Sequence, residues 1–192
     1  MLEFGTSAPS GNSSNIITQT VKIDDIKATY GEKQEWQKYA DDIGLDITLD
    51  IGKEFKPVMY IGGSFKLDEI NNTIIGWGRA YKVKMFFDAI GLPIKLAKGT
   101  SVVENRLPEG FENHIIGKDF ERLSYLSTKT KPDGSNRWRD WQDVIRTGEG
   151  KKLKEQFTEA VNNGYVKDFL APGQESTVSP TVNDNFDPGM PL

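Results

Sequence analysis

Residues 45–51 read Leu-Asp-Ile-Thr-Leu-Asp-Ile, and this stretch points most directly to the fold class. Its four aliphatic side chains alternate with Asp46, Thr48 and Asp50. Successive side chains of a β-strand point to opposite faces, so this two-residue period predicts a strand with one buried and one solvated face.

Similar patterns on both sides of this stretch predict a mainly β protein. Further strands are predicted at residues 17–28, 57–65, 120–131 and 137–145. Within the second of these, Gly62-Gly63 favours a bulge or a sharp bend. The last two are joined by Pro132-Asp133-Gly134, where proline suits a φ near −65° and glycine suits a positive φ, so they form a predicted hairpin.

Two segments have helical spacing instead. Residues 78–90 repeat apolar side chains at helical intervals and are followed by Gly91 at the C-cap position and by Pro93. Residues 151–163 form a second amphipathic helix that ends at Gly164. The stretch between the first helix and the hairpin, rich in Gly and Pro, is expected to be irregular.

About five strands, a helix after the third strand and a C-terminal helix fit a small closed Greek-key barrel of the OB-fold type. An α+β sandwich fits nearly as well, because strand order cannot be read from one sequence. The predicted organisation is a flexible polar arm (1–15), one OB-like domain (16–170) and a flexible acidic tail (171–192). The tail has four Pro and no Lys, Arg or His.

Composition limits the possible functions. The chain has 192 residues, a formal net charge of −4 and no Cys. A global positive field is therefore absent, and any site for a polyanion must be a local patch. Without Cys there is no disulfide framework and no thiolate ligand or nucleophile. The start of the sequence resembles no secretion signal, so we expect a cytoplasmic protein.

The first candidate site is the segment between the first two strands, residues 30–42. It holds Lys33, Trp36, Lys38 and Tyr39 within seven residues. Aromatic rings interleaved with lysines suit single-stranded nucleic acid, because bases stack on rings while ammonium groups meet phosphates. The alternative is a long hairpin loop whose Trp36 and Tyr39 simply cap the core.

The second candidate site is the predicted hairpin. Its basic residues are Lys129, Lys131, Arg137 and Arg139, and its aromatic residues are Tyr125, Trp138 and Trp141. Basic side chains on adjacent strands form a compact patch that the acidic chain otherwise lacks. Trp138 and Trp141 should point to opposite faces, so at most one of them belongs to the core. The alternative is an ordinary solvated edge whose charges discourage aggregation.

The sequence holds no strong catalytic constellation, so we expect a protein that is not an enzyme and needs neither metal nor cofactor. His114 is the only histidine and would have to serve every imidazole-dependent site. Asp50, Glu54 and Lys56 loosely resemble the carboxylate–lysine set of a metal-dependent nuclease. No glycine-rich segment matches a phosphate-binding loop.

The order of motifs resembles the single-stranded-DNA-binding proteins of bacteriophages that have an OB-fold. Ile75-Gly76-Trp77-Gly78 leads into K-V-K-M-F-F-D-A-I-G-L (82–92), which is similar to the helix that follows their third strand. The segments I-I-G-K-D-F (115–120) and Y-L-S-T-K-T-K-P-D-G-S-N-R-W-R-D-W-Q-D-V (125–144) resemble their final hairpin. The resemblance covers about residues 17–145 and rests on pattern and spacing.

The resemblance also gives the tail a function. Proteins of this class often end in an acidic segment tipped with hydrophobic residues, which recruits replication partners and competes with DNA. Here the end is N-D-N-F-D-P-G-M-P-L, and the predicted partner-binding residues are Asp184, Phe186, Asp187, Met190 and Leu192. With only two aspartates near the tip, the competition should be weak; a terminus without function is the alternative.

The sequence therefore predicts non-sequence-specific binding of single-stranded DNA in phage-type replication or recombination. A structural or adaptor protein that binds other proteins is the main alternative, and a metal-dependent nuclease is a distant third.

Overall fold

The structure is a computed structural model that describes residues 15–35 and 37–173. Its strands are β1 (Ile16–Thr29), β2 (Ile43–Asp50), β3 (Val58–Gly63), β4 (Lys66–Leu67), β5 (Ile74–Gly76), β6 (Asp119–Thr130) and β7 (Asn136–Ile145). Its α-helices are α1 (Tyr81–Ala89), α2 (Glu112–Ile115) and α3 (Gly150–Asn162). Two 3₁₀ turns, Gly78–Ala80 and Val102–Glu104, complete the described elements.

The five long strands form one antiparallel sheet in the order β3-β2-β1-β6-β7, while β4 and β5 form a separate two-stranded sheet. The first half of β1 pairs with β6 and its second half pairs with β2, with a register shift between Ile23 and Asp25. This bulge lets one long strand belong to both sides of a coiled sheet. The two edge strands approach each other, and Gln142 Nε2 on β7 donates to the carbonyl oxygen of Tyr60 on β3 over 2.8 Å.

The result is a nearly closed, OB-fold-like barrel with a helix after the third strand and a C-terminal helix, which confirms the predicted fold class. The alternation in residues 45–49 is also confirmed: Leu45, Ile47 and Leu49 are fully buried, and Asp46 and Thr48 on the opposite face are half-buried. The alternative fold, an α+β sandwich, does not fit, because the five long strands form one sheet that curls on itself.

Helix α1 contributes large aromatic side chains to the barrel core. Val83, Phe86 and Phe87 are buried, and the Phe86 ring meets the ring of Phe120 on β6 edge-on, with centroids 5.5 Å apart. The helix begins later than its sequence pattern predicted, because the residues before Tyr81 form a 3₁₀ turn. No helix among the described residues is long and apolar enough to cross a bilayer.

Helix α3 builds a second, smaller core on the outer face of β6 and β7. Its Phe157 is fully buried and lies 5.1 Å from the ring of Tyr125 and 5.5 Å from that of Trp141, centroid to centroid. The C-terminal helix is therefore an integral part of the domain.

Of the two features predicted at Gly62-Gly63, a bulge or a sharp bend, the bulge was wrong. The β2–β3 ladder continues to the pair Ile43–Gly63 without a register shift. The glycines serve close approach instead: a Cβ on Gly63 would lie 2.3 Å from the carbonyl oxygen of Arg79, and one on Gly62 would lie 2.6 Å from the Tyr60 hydroxyl. Only glycine leaves room for these neighbours.

Candidate nucleic-acid interface

The tip of the β6–β7 hairpin is a well-defined turn. Asp133 Oδ1 accepts hydrogen bonds from the backbone N–H and the hydroxyl of Ser135, over 2.9 and 2.6 Å. These bonds lower the pKa of Asp133, so its carboxylate is ionised at neutral pH. Gly134 has φ +80°, a conformation that a side chain would strain. The predicted turn is thus confirmed, and it fixes where the flanking side chains emerge.

Three of the four predicted hairpin cations have no ion-pair partner in the part of the chain that the structure describes. Lys129, Lys131 and Arg137 are exposed, and within residues 15–35 and 37–173 no carboxylate lies in salt-bridge distance of them. Arg139 differs, because its Nη1 lies 2.5 Å from Asp168 Oδ2. The three unpaired cations are available to a polyanion, whereas the charge of Arg139 is already compensated.

The aromatic residues of the hairpin divide between its two faces. Trp138 is 44% exposed, while Trp141 faces α3 and is half-buried against Phe157, which confirms their predicted opposite orientation. Tyr125 is only 5% exposed, and its hydroxyl donates to Asp168 Oδ1 over 3.1 Å. Burial, the larger effect, and the neighbouring carboxylate raise the pKa of Tyr125 to about 12. Both rings pack under α3, which leaves Trp138 as the most exposed ring of the hairpin, while the binding roles of Tyr125 and Trp141 stay predictions.

Along the open edge of β7, an aromatic side chain and a basic side chain can contact the same ligand. β7 is the last strand of the sheet, so among residues 15–35 and 37–173 no strand pairs with its outer side along the projecting part of the hairpin. Alternation places Trp138 on the face opposite to Arg137 and Arg139. An extended ligand along this edge would therefore meet the indole ring on one side and the Arg137 guanidinium on the other.

The loop between β1 and β2 forms a separate cluster. Lys33, Lys38 and Tyr39 are exposed, Tyr39 to 62%, and Lys38 Nζ lies 5.2 Å from the centroid of the Tyr39 ring. Trp36 lies outside the described residues. The loop leaves the C-terminal end of β1, whereas the hairpin projects beyond its N-terminal end. The structure thus presents two clusters of exposed aromatic and cationic side chains at opposite ends of one strand, of which only the hairpin has an excess of cations.

Tyr60 is a surface aromatic that the sequence analysis missed, and it lies between these two clusters. Its hydroxyl donates to Asp41 Oδ2 over 2.8 Å and is 3.5 Å from Gln37 Nε2, while its backbone oxygen receives the bond from Gln142. Burial and the bond to Asp41 raise its pKa. Glycines at positions 44 and 62, which leave room for the ring, were the available signal.

The outer face of β1 and β2 carries no excess of positive charge. Across the two strands Lys22 pairs with Asp50 and Lys27 with Asp46, and Asp25 is exposed beside them. Phosphates would meet three carboxylates but only two ammonium groups there. The distal part of the hairpin, residues 125–139, is where cations exceed carboxylates, whereas the loop of residues 30–42 has two lysines and four carboxylates.

The residues considered for catalysis are not gathered into a site. His114 is exposed on α2. Lys56 Nζ pairs with Asp24 over 2.6 Å, and Asp50 Oδ1 accepts the backbone N–H of Gly52 over 2.8 Å. Among the described residues no group of three or more His, Cys, Asp or Glu is placed to hold a metal ion.

The predicted partner-binding residues Asp184, Phe186, Asp187, Met190 and Leu192 lie outside the described part of the chain. The described chain ends at Gly173, shortly after Leu170 N donates to Leu126 O at the base of the hairpin over 2.9 Å. The C-terminal segment therefore begins next to the basic hairpin.

The sequence matches no protein-family model, and neither a curated protein nor a solved structure matches it significantly.

Proposed function

We propose that this protein binds single-stranded DNA without sequence specificity, along the open edge of β7. The observation that carries the proposal is the combination of an exposed Trp138 with three cations that form no ion pair within the described residues, Lys129, Lys131 and Arg137, on one projecting hairpin of an OB-like barrel. Bases of any identity stack on an indole ring, and phosphates are bound by cations without reading sequence.

The local charge supports this assignment although the whole chain is acidic. The distal part of the hairpin, residues 125–139, contains four basic residues against Asp133 and the adjacent Asp168, and these basic residues are Lys129, Lys131, Arg137 and Arg139. The excess of two positive charges is modest. We therefore expect weak, salt-sensitive binding to single strands and no base-specific hydrogen bonding.

The proposal includes a role in phage-type replication or recombination, which follows from the resemblance of residues 17–145. It also includes the C-terminal tail as a site for partner proteins, as the same resemblance implies. Binding without catalysis fits the scattered titratable residues. The adaptor alternative remains open to the same test, because an adaptor that binds proteins through its sheet has no affinity for an oligonucleotide.

A fluorescence titration with poly-dT, followed by tryptophan quenching at several salt concentrations, tests the proposal. Three phosphate contacts give a slope of log K against log salt of about −2, and contacts from Lys33 and Lys38 steepen it to about −3.5. Between 50 and 200 mM salt the affinity should then fall by about 20-fold to about 100-fold. Binding that is absent at 50 mM salt would contradict the proposal and favour the adaptor.

Charge removal should locate the interface. Lys131→Ala is expected to lower the steepness of the salt slope by up to about 0.7, for oligo-dT and oligo-dA alike. Lys98→Ala removes an equally exposed lysine from the segment between α1 and α2 and serves as the matched control. Equal effects of the two substitutions would show that binding is diffuse and does not centre on the hairpin.

A further inference from the structure

The chain that follows α3 returns to the hairpin and extends its sheet. Thr128 N donates to Asp168 O over 2.8 Å, Leu170 N donates to Leu126 O over 2.9 Å, and Ser127 and Phe169 form an antiparallel bridge. This segment lies beside β6 just beyond the position where β1 begins, since Leu126 N also donates to Asn15 O. The base of the hairpin is thus held by residues from the C-terminal end of the domain.

Asp168 is the centre of this connection. Its carboxylate accepts hydrogen bonds from Ser127 Oγ over 2.8 Å and from Tyr125 OH over 3.1 Å, and it pairs with Arg139 Nη1 over 2.5 Å. The Asp168 side chain is only 17% exposed, and Ser127 is fully buried. A carboxylate with three donors in a largely buried position forms stronger contacts than a solvated surface pair.

This arrangement changes what Arg139 can do. Arg137 lies two residues earlier on the same face and has no carboxylate partner among the described residues, whereas Arg139 has one. A phosphate that took over Nη1 of Arg139 would leave Asp168 without its cation, and one that bound the other guanidinium N–H groups would lie close to the Asp168 carboxylate, which repels it. The pair also contributes no net charge to the field of the hairpin.

We propose that Asp168 is a positioning residue for the hairpin and withholds Arg139 from nucleic acid, so that phosphates are bound by Lys129, Lys131 and Arg137 but not by Arg139. This inference rests on the proposed function. Asp168 fixes the base of the projecting hairpin and at the same time limits how many of its cations bind DNA.

Two equivalent substitutions on the same strand test the inference. Arg137→Gln should lower the steepness of the salt slope with oligo-dT by up to about 0.7. Arg139→Gln, which keeps a donor for Asp168, should change the slope by less than half of that amount. Equal reductions would overturn the inference, and this comparison requires no change to Asp168 itself.

The converse experiment removes the carboxylate that pairs with Arg139. Asp168→Asn keeps the size of the side chain and removes its charge, so Arg139 gains a phosphate contact and the slope steepens by up to about 0.7, with tighter binding at 50 mM salt. The double variant Asp168→Asn/Arg139→Gln should return to the wild-type slope. An unchanged slope in a folded Asp168→Asn variant would show a purely structural role.

The inference and the proposed function can fail separately. If wild-type protein binds no oligonucleotide at 50 mM salt, the proposed function fails. If it binds, and Arg137→Gln and Arg139→Gln have equal effects, the proposed function stands while the role of Asp168 is refuted.

Discussion

Replacing Gly63 with alanine should open the contact between the end of β3 and the 3₁₀ turn that leads into α1. The three atoms nearest to a Cβ at this position are backbone atoms: Arg79 O at 2.3 Å, Arg79 C at 2.4 Å and Ala80 N at 2.6 Å. None of them belongs to a flexible side chain that could rotate away. The new methyl group can fit only if strand and turn separate by about 1 Å, the difference between these distances and ordinary van der Waals contact at 3.4 Å or more.

The expected loss of stability follows from the elements that this contact holds in place. The turn leads directly into α1, which carries the buried Val83, Phe86 and Phe87, so a displacement at Arg79 is transmitted to the barrel core. Overpacking of this kind typically costs about 1–3 kcal/mol. Because relief requires backbone movement, we expect the upper part of that range, about 2–3 kcal/mol. For a domain of this size, this lowers Tm by about 4–12 °C.

Gly76→Ala is the matched control. Gly76 also lies in a strand with a φ outside the left-handed region, but the nearest atom to its Cβ would be Lys66 Cβ at an ordinary 3.7 Å. We expect a change within about 1 kcal/mol, with a small stabilisation from the stiffer unfolded chain. Thermal and urea melts of the two variants and the wild type measure the difference. A Gly63→Ala variant as stable as Gly76→Ala would refute the close approach of β3 and the turn.

Further variants test the interface and the second core. Trp138→Ala should weaken binding of oligo-dT by about 1–3 kcal/mol, whereas Trp141→Phe, a change within the packing under α3, should leave it within about twofold. Phe157→Ala removes a fully buried ring and should cost about 3–5 kcal/mol in unfolding free energy, measured by urea melts. Burial alone would raise the pKa of Asp168, but its bonds from Arg139 and Ser127 lower the pKa overall. The ionised carboxylate therefore stabilises the fold fully at neutral pH, and this stabilisation is lost as the pH falls below about 4. The Asp168→Asn variant should show a smaller fall in unfolding free energy with decreasing pH in that range. Deleting residues 174–192 removes three acidic side chains and no cation, so DNA binding should tighten modestly at 50 mM salt and little at 200 mM.

A specific result would contradict each of the predictions for Trp138, Phe157 and residues 174–192. Unchanged binding by a folded Trp138→Ala variant would remove the stacking site from the hairpin. A Phe157→Ala variant as stable as the wild type would show that α3 does not share a core with β6 and β7. Weaker DNA binding after removal of residues 174–192 would show that this segment supports the interface and does not compete for it.

Local patterns in the sequence determined the elements of this protein. The two-residue period at residues 45–49, the helical spacing before Gly91 and the turn at Pro132-Asp133-Gly134 each correspond to an element of the structure. They could be read because each depends on residues close together in the chain, where backbone geometry and burial act within one turn or strand. The opposite orientation of Trp138 and Trp141 follows from the same local rule.

Tertiary structure decided which of these residues face solvent and which cations are available. Sequence alone could not tell that Trp141 and Tyr125 pack under α3, because their partner Phe157 belongs to another element. Nor could it reveal that Arg139 is paired, since Asp168 lies 29 residues further along the chain. The glycines at positions 62 and 63 predicted a bulge or a sharp bend; the β2–β3 ladder has no bulge there, and the glycines admit Tyr60 and the Arg79 backbone. Burial and ion pairing depend on the neighbours that folding brings together, and those neighbours are set by the strand order of the barrel.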